Sequence, residues 1–228
     1  MSVFCRSLLN SRGLKATERS TRFSSATHNH HIRILAMKSP FEILVATQSW
    51  FRLLSRRILG LRTGHKVTVG KNVRWPIFGL QRIIIGNNVG LMPQVSIWLM
   101  PFNNTSQIII EDNVTIGEQC RIGAGELVKI GKGSYSMHRV TIADFGHIYG
   151  PKNKLGRFPP KPKPVLIGEG CSIGAGSLIK PGTVLGEYCV VEPNSVVSGK
   201  FQSFSVLCGN PAVVVRTLDE LRSSISNS

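Results

Sequence analysis

An all-β fold, a parallel β-helix wound from six-residue repeats, is what this sequence predicts, and three observations predict it. An aliphatic residue recurs every six positions through Ile167, Ile173, Ile179, Leu185, Val191 and Val197. Four places after each of the first five stands a small one: Cys171, Ser177, Thr183, Cys189 and Ser195. The same spacing runs upstream through Ile110, Ile116 and Ile122 and, after a two-residue slip, Ile130, Ser136 and Ile142. A period of six fits neither an α-helix, at about 3.6, nor a lone strand, at about 2. It fits a triangular coil, each face one short strand and a turn. The aliphatic side chain points inward on the flat face and the small one lines the crowded inner wall near the corner. Gly168, Gly174 and Gly186 follow three of the aliphatics, at turns with positive φ or close chain approach. Stacked coils then share a hydrogen-bond ladder, about 4.8 Å from one to the next.

The other segments are read in chain order. Residues 1–36 are rich in Arg, Ser and Thr, with Glu18 their sole acid. That composition suits an organellar transit peptide or a disordered tail, and Met37-Lys38 resembles a chain start. Within 37–66, residues 40–59 predict a basic helix opened by Pro40, with Phe41, Leu44, Val45, Trp50, Phe51, Leu54 and Ile58 as its apolar residues. Arg52, Arg56 and Arg57 interrupt it well short of a membrane span. Its apolar face is expected to cover the open end of the coil; the alternative is peripheral contact with an anionic membrane. The β-helix domain is assigned to 67–217, with weaker repeats at Val67–Gly70 and Ile83–Gly86 and a loop excursion at 144–164. Residues 218–228 form a C-terminal tail.

The 228 residues carry a formal charge of +16, unevenly placed. Residues 1–66 hold 12 Lys/Arg against two acids, so most of the basicity lies outside the repeats. No helix-turn-helix, zinc-finger or RNP-type pattern accompanies it, and nucleic acid is not expected as a partner. The five cysteines form no C-x-x-C pair and no metal-ligand spacing. Cys120, Cys171 and Cys189 fall on the small-residue position and read as buried thiols in a reducing compartment.

The repeats, the segment Asp144-Phe145-Gly146-His147 and the ending Gly209-Asn210-Pro211-Ala212-Val213-Val214-Val215-Arg216 together resemble the hexapeptide-repeat acyltransferases. Among these the likeness is to bacterial sugar O-acetyltransferases, over about residues 67–217. The resemblance implies a left-handed coil, a homotrimer with sites shared between subunits, and acetyl-CoA as acyl donor with no metal. It puts the general base on the last residue of a D-x-x-H segment, here His147. A base near neutral pKa suits the removal of a proton from a sugar hydroxyl as it attacks a thioester. Asp144 either orients that imidazole or caps the turn. Coenzyme A contacts carried over by alignment fall on Ala175, Pro193, Ser198 and Arg216, with Lys200 beside Gly199, where relatives carry a lysine. Val213 stands where some relatives have an arginine or lysine, and Phe145 where many have a second histidine.

The implied reaction is transfer of an acetyl group to a hydroxyl of a sugar or glycan precursor in the cytoplasm. N-acyl transfer, serine acetylation and a non-catalytic β-helical subunit are the alternatives. A three-histidine metal centre, as in the γ-type carbonic anhydrases, is not expected: only His138 and His147 lie within the repeats. The excursion adds Lys152, Lys154, Arg157, Lys161 and Lys163 without an acid, a solvated loop or a phosphate-attracting rim.

Overall fold

The computed structural model describes residues 40–101, 103–146 and 161–218, the side chains of 40–46 excepted. The proposed extension 1–36, most of the excursion and nearly all of the tail lie outside these residues.

After the helix α1 (Pro40–Ile58), the first coil holds β1 (Arg62–Thr63), β2 (Thr68–Val69) and a single bridge at Arg74. The second follows a 3-10 turn at Leu80–Arg82 and holds β3 (Ile83–Ile85), β4 (Gly90–Leu91) and β5 (Ser96–Leu99). Next come β6 (Gln107–Ile110), β7 (Thr115–Ile116) and β8 (Arg121–Ala124), then β9 (Leu127–Ile130), β10 (Tyr135–Ser136) and β11 (Thr141–Ala143). Beyond the excursion lie β12 (Val165–Ile167), β13 (Ser172–Ile173), β14 (Leu178–Ile179), β15 (Val184–Leu185), β16 (Val190–Val191) and β17 (Val196–Val197). The final coil has β18 (Lys200–Phe201) and β19 (Ser205–Gly209), on which β20 (Ala212–Thr217) folds back antiparallel.

Every third strand stacks in parallel, giving the three faces of a left-handed β-helix. Sheet A runs β1-β3-β6-β9-β12-β15-β18, sheet B β2-β4-β7-β10-β13-β16-β19-β20, and sheet C β5-β8-β11-β14-β17. The register superposes the repeat on itself: Ile142 pairs Ile179, which pairs Val197. All six aliphatics from Ile167 to Val197 are no more than 2% exposed, and so are their five small partners. Burying each aliphatic stabilises the coil by about 1.5–3 kcal/mol, which is why the period is kept so strictly.

The glycines after the aliphatics serve close approach and not positive φ. A Cβ on Gly174 would stand 2.5 Å from the nitrogen of Pro193 in the next coil. Left-handed φ falls instead on the residue just before each small partner: Gly170, Gly176, Gly182, Tyr188 and Asn194.

Helix α1 does cover the open end, but with a different face from the one expected. The top strand β2 would leave Val69 unpaired on its outer side. Ser49 Oγ accepts from Val69 N at 3.2 Å and donates to its carbonyl at 3.3 Å, and Arg52 donates to the same carbonyl at 2.8 Å. Leu53 is the buried apolar contact, whereas Trp50, Phe51, Leu54 and Ile58 face outward, 38–77% exposed. The reversal has a plain cause: the end of a coil presents backbone polar groups, so a hydroxyl and a guanidinium satisfy it better than indole and phenyl rings would.

Candidate active site

The excursion leaves and re-enters the coil at one corner, between sheets C and A. After β11 the chain reaches Asp144, whose carbonyl accepts from Lys163 N at 2.7 Å. The carbonyl of Lys163 in turn accepts from Gly182 N at 2.9 Å, so the returning strand rejoins the ladder one residue-pair from where it departed.

The Asp144 side chain is fully buried in this corner. Its Oδ1 accepts from Gly125 N at 2.5 Å, and its Oδ2 from Glu126 N and Leu127 N, both at 2.7 Å. The turn from β8 into β9 needs these acceptors, since three successive N–H groups there have no strand partner. A carboxylate that takes all three satisfies them with charge-assisted bonds. A side chain at Gly125 would be tight: an added Cβ would meet Pro162 at 3.0 Å and Phe145 at 3.2 Å. From the other side Asn103 Nδ2 donates to Gly125 O at 2.5 Å, and Arg82 holds Asn103 through its carbonyl and Ser106 Oγ at 2.7 Å. This Arg82–Asn103–Gly125–Asp144 chain was not foreseen in the sequence, because its members are drawn from separate coils. His147 lies outside the described residues; three residues from Asp144 span at most about 11 Å.

Beside the corner, Phe145 meets Trp98 edge to face, their centroids 4.6 Å apart. The indole lies flat over Gly123, where a Cβ would stand 2.6 Å from it. Trp98 closes one end of a groove of about 1140 Å³ along sheet C, whose lining includes Arg74, Arg121, Arg139, Gln94 and Gln119. None of these had been singled out by motif, since each sits at an ordinary outward position of the repeat.

The positions aligned with coenzyme A contacts lie on the coils C-terminal to the excursion. Ala175 and Pro193 stack at the corner between sheets B and C, joined by Asn194 N donating to Ala175 O at 2.8 Å. Ser198 and Lys200 are exposed at the corner between C and A, and Arg216 is exposed on β20 opposite Val206. The chain thus distributes them over two corners and its terminal strand and does not gather them in one pocket. An ammonium and a guanidinium suit phosphates, and small side chains at Ala175 leave room for a thin pantetheine arm. His138 is exposed, its carbonyl bonded to Gly176 N at 3.1 Å. Cys120, Cys171 and Cys189 are buried and unbridged, and burial pushes the Cys120 thiol up, away from nucleophile character.

Residues 164–199 match the family model described as bacterial transferase hexapeptide (six repeats). The chain is 29% identical over 117 residues to WbbJ of Escherichia coli strain K12, named as a lipopolysaccharide biosynthesis O-acetyl transferase; the match covers 48% of this chain and 60% of WbbJ. With WcaF of the same strain, named as a colanic acid biosynthesis acetyltransferase, it shares 28% identity over 63% of this chain and 75% of that protein. Among solved structures, AntD, an N-acyltransferase from Bacillus cereus in complex with dTDP and 3-hydroxybutyryl-CoA, superposes with a TM-score of 0.61. That likeness covers 76% of this chain and 94% of AntD at 19% identity, and so speaks for the fold. By its repeat and its coil the chain is similar to the hexapeptide-repeat acyltransferases, the family model itself being matched over residues 164–199.

Proposed function

We propose that the protein transfers an acetyl group from acetyl-CoA to a hydroxyl of a sugar or glycan precursor, with His147 as general base. The observation that supports this most is the corner built on Asp144. Its carboxylate fixes the corner at which the excursion departs, after the coils that carry the groove and before those that carry the aligned donor positions. Asp144 then acts as a positioning residue, since both its oxygens are engaged by backbone N–H groups.

In this reading His147 takes the hydroxyl proton as the acceptor oxygen attacks the thioester carbonyl. The carbon–sulfur bond breaks, and the imidazolium returns the proton to the departing thiolate, giving an acetyl ester and free coenzyme A. Backbone N–H groups stabilise the transient oxyanion. Lys200 and Arg216 hold donor phosphates, and Ala175, Pro193 and Ser198 flank the arm. The reading places the protein in a compartment supplied with acetyl-CoA, and the unbridged thiols accord with a reducing one such as the cytoplasm. An acceptor amine in place of the hydroxyl would use the same base.

His147→Ala tests the proposal. Turnover of acetyl-CoA with a sugar acceptor should fall at least about a hundredfold, the usual contribution of a positioned base, with acetyl-CoA affinity unchanged by calorimetry. Near-normal turnover would refute the role of His147.

A further inference from the structure

The groove on sheet C is unlike the rest of the coil surface in charge and shape. Arg74, Ser96, Arg121 and Thr141 form one outward column, each residue pairing with the next across neighbouring strands. The backbones of Arg74 and Arg121 therefore stand about 10 Å apart, two ladder steps, with the short Ser96 between them as the floor. Arg139 enters from the adjacent corner. Its Nε donates to Gln119 Oε1 at 3.0 Å, and Gln119 donates to Gln94 Oε1 at 3.2 Å, a side-chain ladder that fixes the guanidinium's approach. No carboxylate lines the groove. Among the described residues the ion pair formed is Lys129–Glu111, on sheet A, so these three arginines have no counter-ion there. At the far end the exposed edge of Trp98, backed by Phe145, offers an apolar plate beside the start of the excursion.

Three arginines lining one groove suit the oxygens of a diphosphate, and an indole suits the C–H face of a sugar ring. We propose that this groove binds the acceptor through a diphosphate attached to the sugar, the sugar resting on Trp98 and the diphosphate on Arg74, Arg121 and Arg139. The inference rests on the acetyl-transfer reading and names its substrate class. It also sets the two substrates apart along the axis: the acceptor on the coils before the excursion, the donor on those after it. A sugar diphosphate comes from two sources, a nucleotide or a lipid carrier, and the groove's chemistry is common to both.

The test is calorimetric binding of uridine diphosphate and, separately, of geranyl diphosphate to the full chain. Saturable binding of either is expected, and the tighter of the two identifies the carrier. Arg121→Gln/Arg139→Gln, and independently Arg74→Gln, should weaken it at least tenfold while melting temperature and coenzyme A affinity stay as in the parent. Binding should persist in saturating coenzyme A. The proposal is overturned if neither probe binds, if both variants bind as the parent does, or if coenzyme A displaces the probe one for one, which would make the groove part of the donor site. Because the probes are first read without coenzyme A, failure of coenzyme A to bind would sink the donor reading alone.

Discussion

A single carboxylate holds the corner on which the proposed chemistry depends. Asp144 has no contact with water and accepts three backbone N–H groups through its two oxygens. In Asp144→Asn one oxygen becomes an NH2 that faces donors, so at least one N–H loses its acceptor. Hydrogen bonds to charged groups contribute about 1.5–3 kcal/mol, and we expect a loss of that order in urea unfolding. A merely structural role would leave the remaining folded enzyme at full turnover. A positioning role predicts lower kcat with an unchanged KM for acetyl-CoA, because only the departure of the excursion shifts. Equal stability of mutant and parent would show that the turn finds other acceptors.

At the scale of elements, α1 stabilises the coil by ending it. Ser49 and Arg52 occupy the open edge of β2, and Leu53 supplies the apolar contact. Ser49→Ala leaves the Val69 N–H without its acceptor and should lower stability by about 1–3 kcal/mol. A chain cut to begin near residue 62 should aggregate through the bared strand, whereas one beginning at Met37 should not; light scattering of the two separates the cases. The repeated elements were legible because a period of six assigns each side chain to the inside, the corner or the outside. The aliphatics from Ile110 to Val197 are buried in the places so assigned. The helix face was not legible, because apolarity alone says nothing of what the covered end requires. Nor were the left-handed corners: Arg139, Tyr188 and Phe204 adopt positive φ, a conformation that composition assigns to glycine or asparagine. The Arg82–Asn103 buttress and the sheet C groove escaped for a further reason. Their members lie about a coil apart in sequence and become neighbours only once the register is known. At the site, the sequence leaves Asp144 either orienting the imidazole or capping the turn, and the N–H groups its oxygens accept from belong to the turn from β8 into β9.

For the molecule as a whole, the dispersal of the aligned donor positions is the telling fact. Ala175 and Pro193 share one corner, Ser198 and Lys200 another, and Arg216 the terminal strand, so no single face of the coil carries them all. The exposed Val213, Val214 and Val215 of β20 also present an apolar strip. A trimer would answer both needs, and sedimentation should find three chains in the active species; a stable and active monomer would sink this. Val214→Glu should reduce assembly and turnover together.

The hydrogen bond from Lys163 to Asp144 has a consequence for how such a chain changes over generations or on the bench. The two ends of the interval are clamped to each other, and Phe145 and Pro162 beside them pack on the coil, so the closure is made before residues 148–160 are counted. Closing a loop twice as long costs only about 0.6 kcal/mol more. Segments of other lengths and compositions are therefore graftable within residues 148–160, with the host keeping its melting behaviour and the groove on sheet C keeping its choice of acceptor.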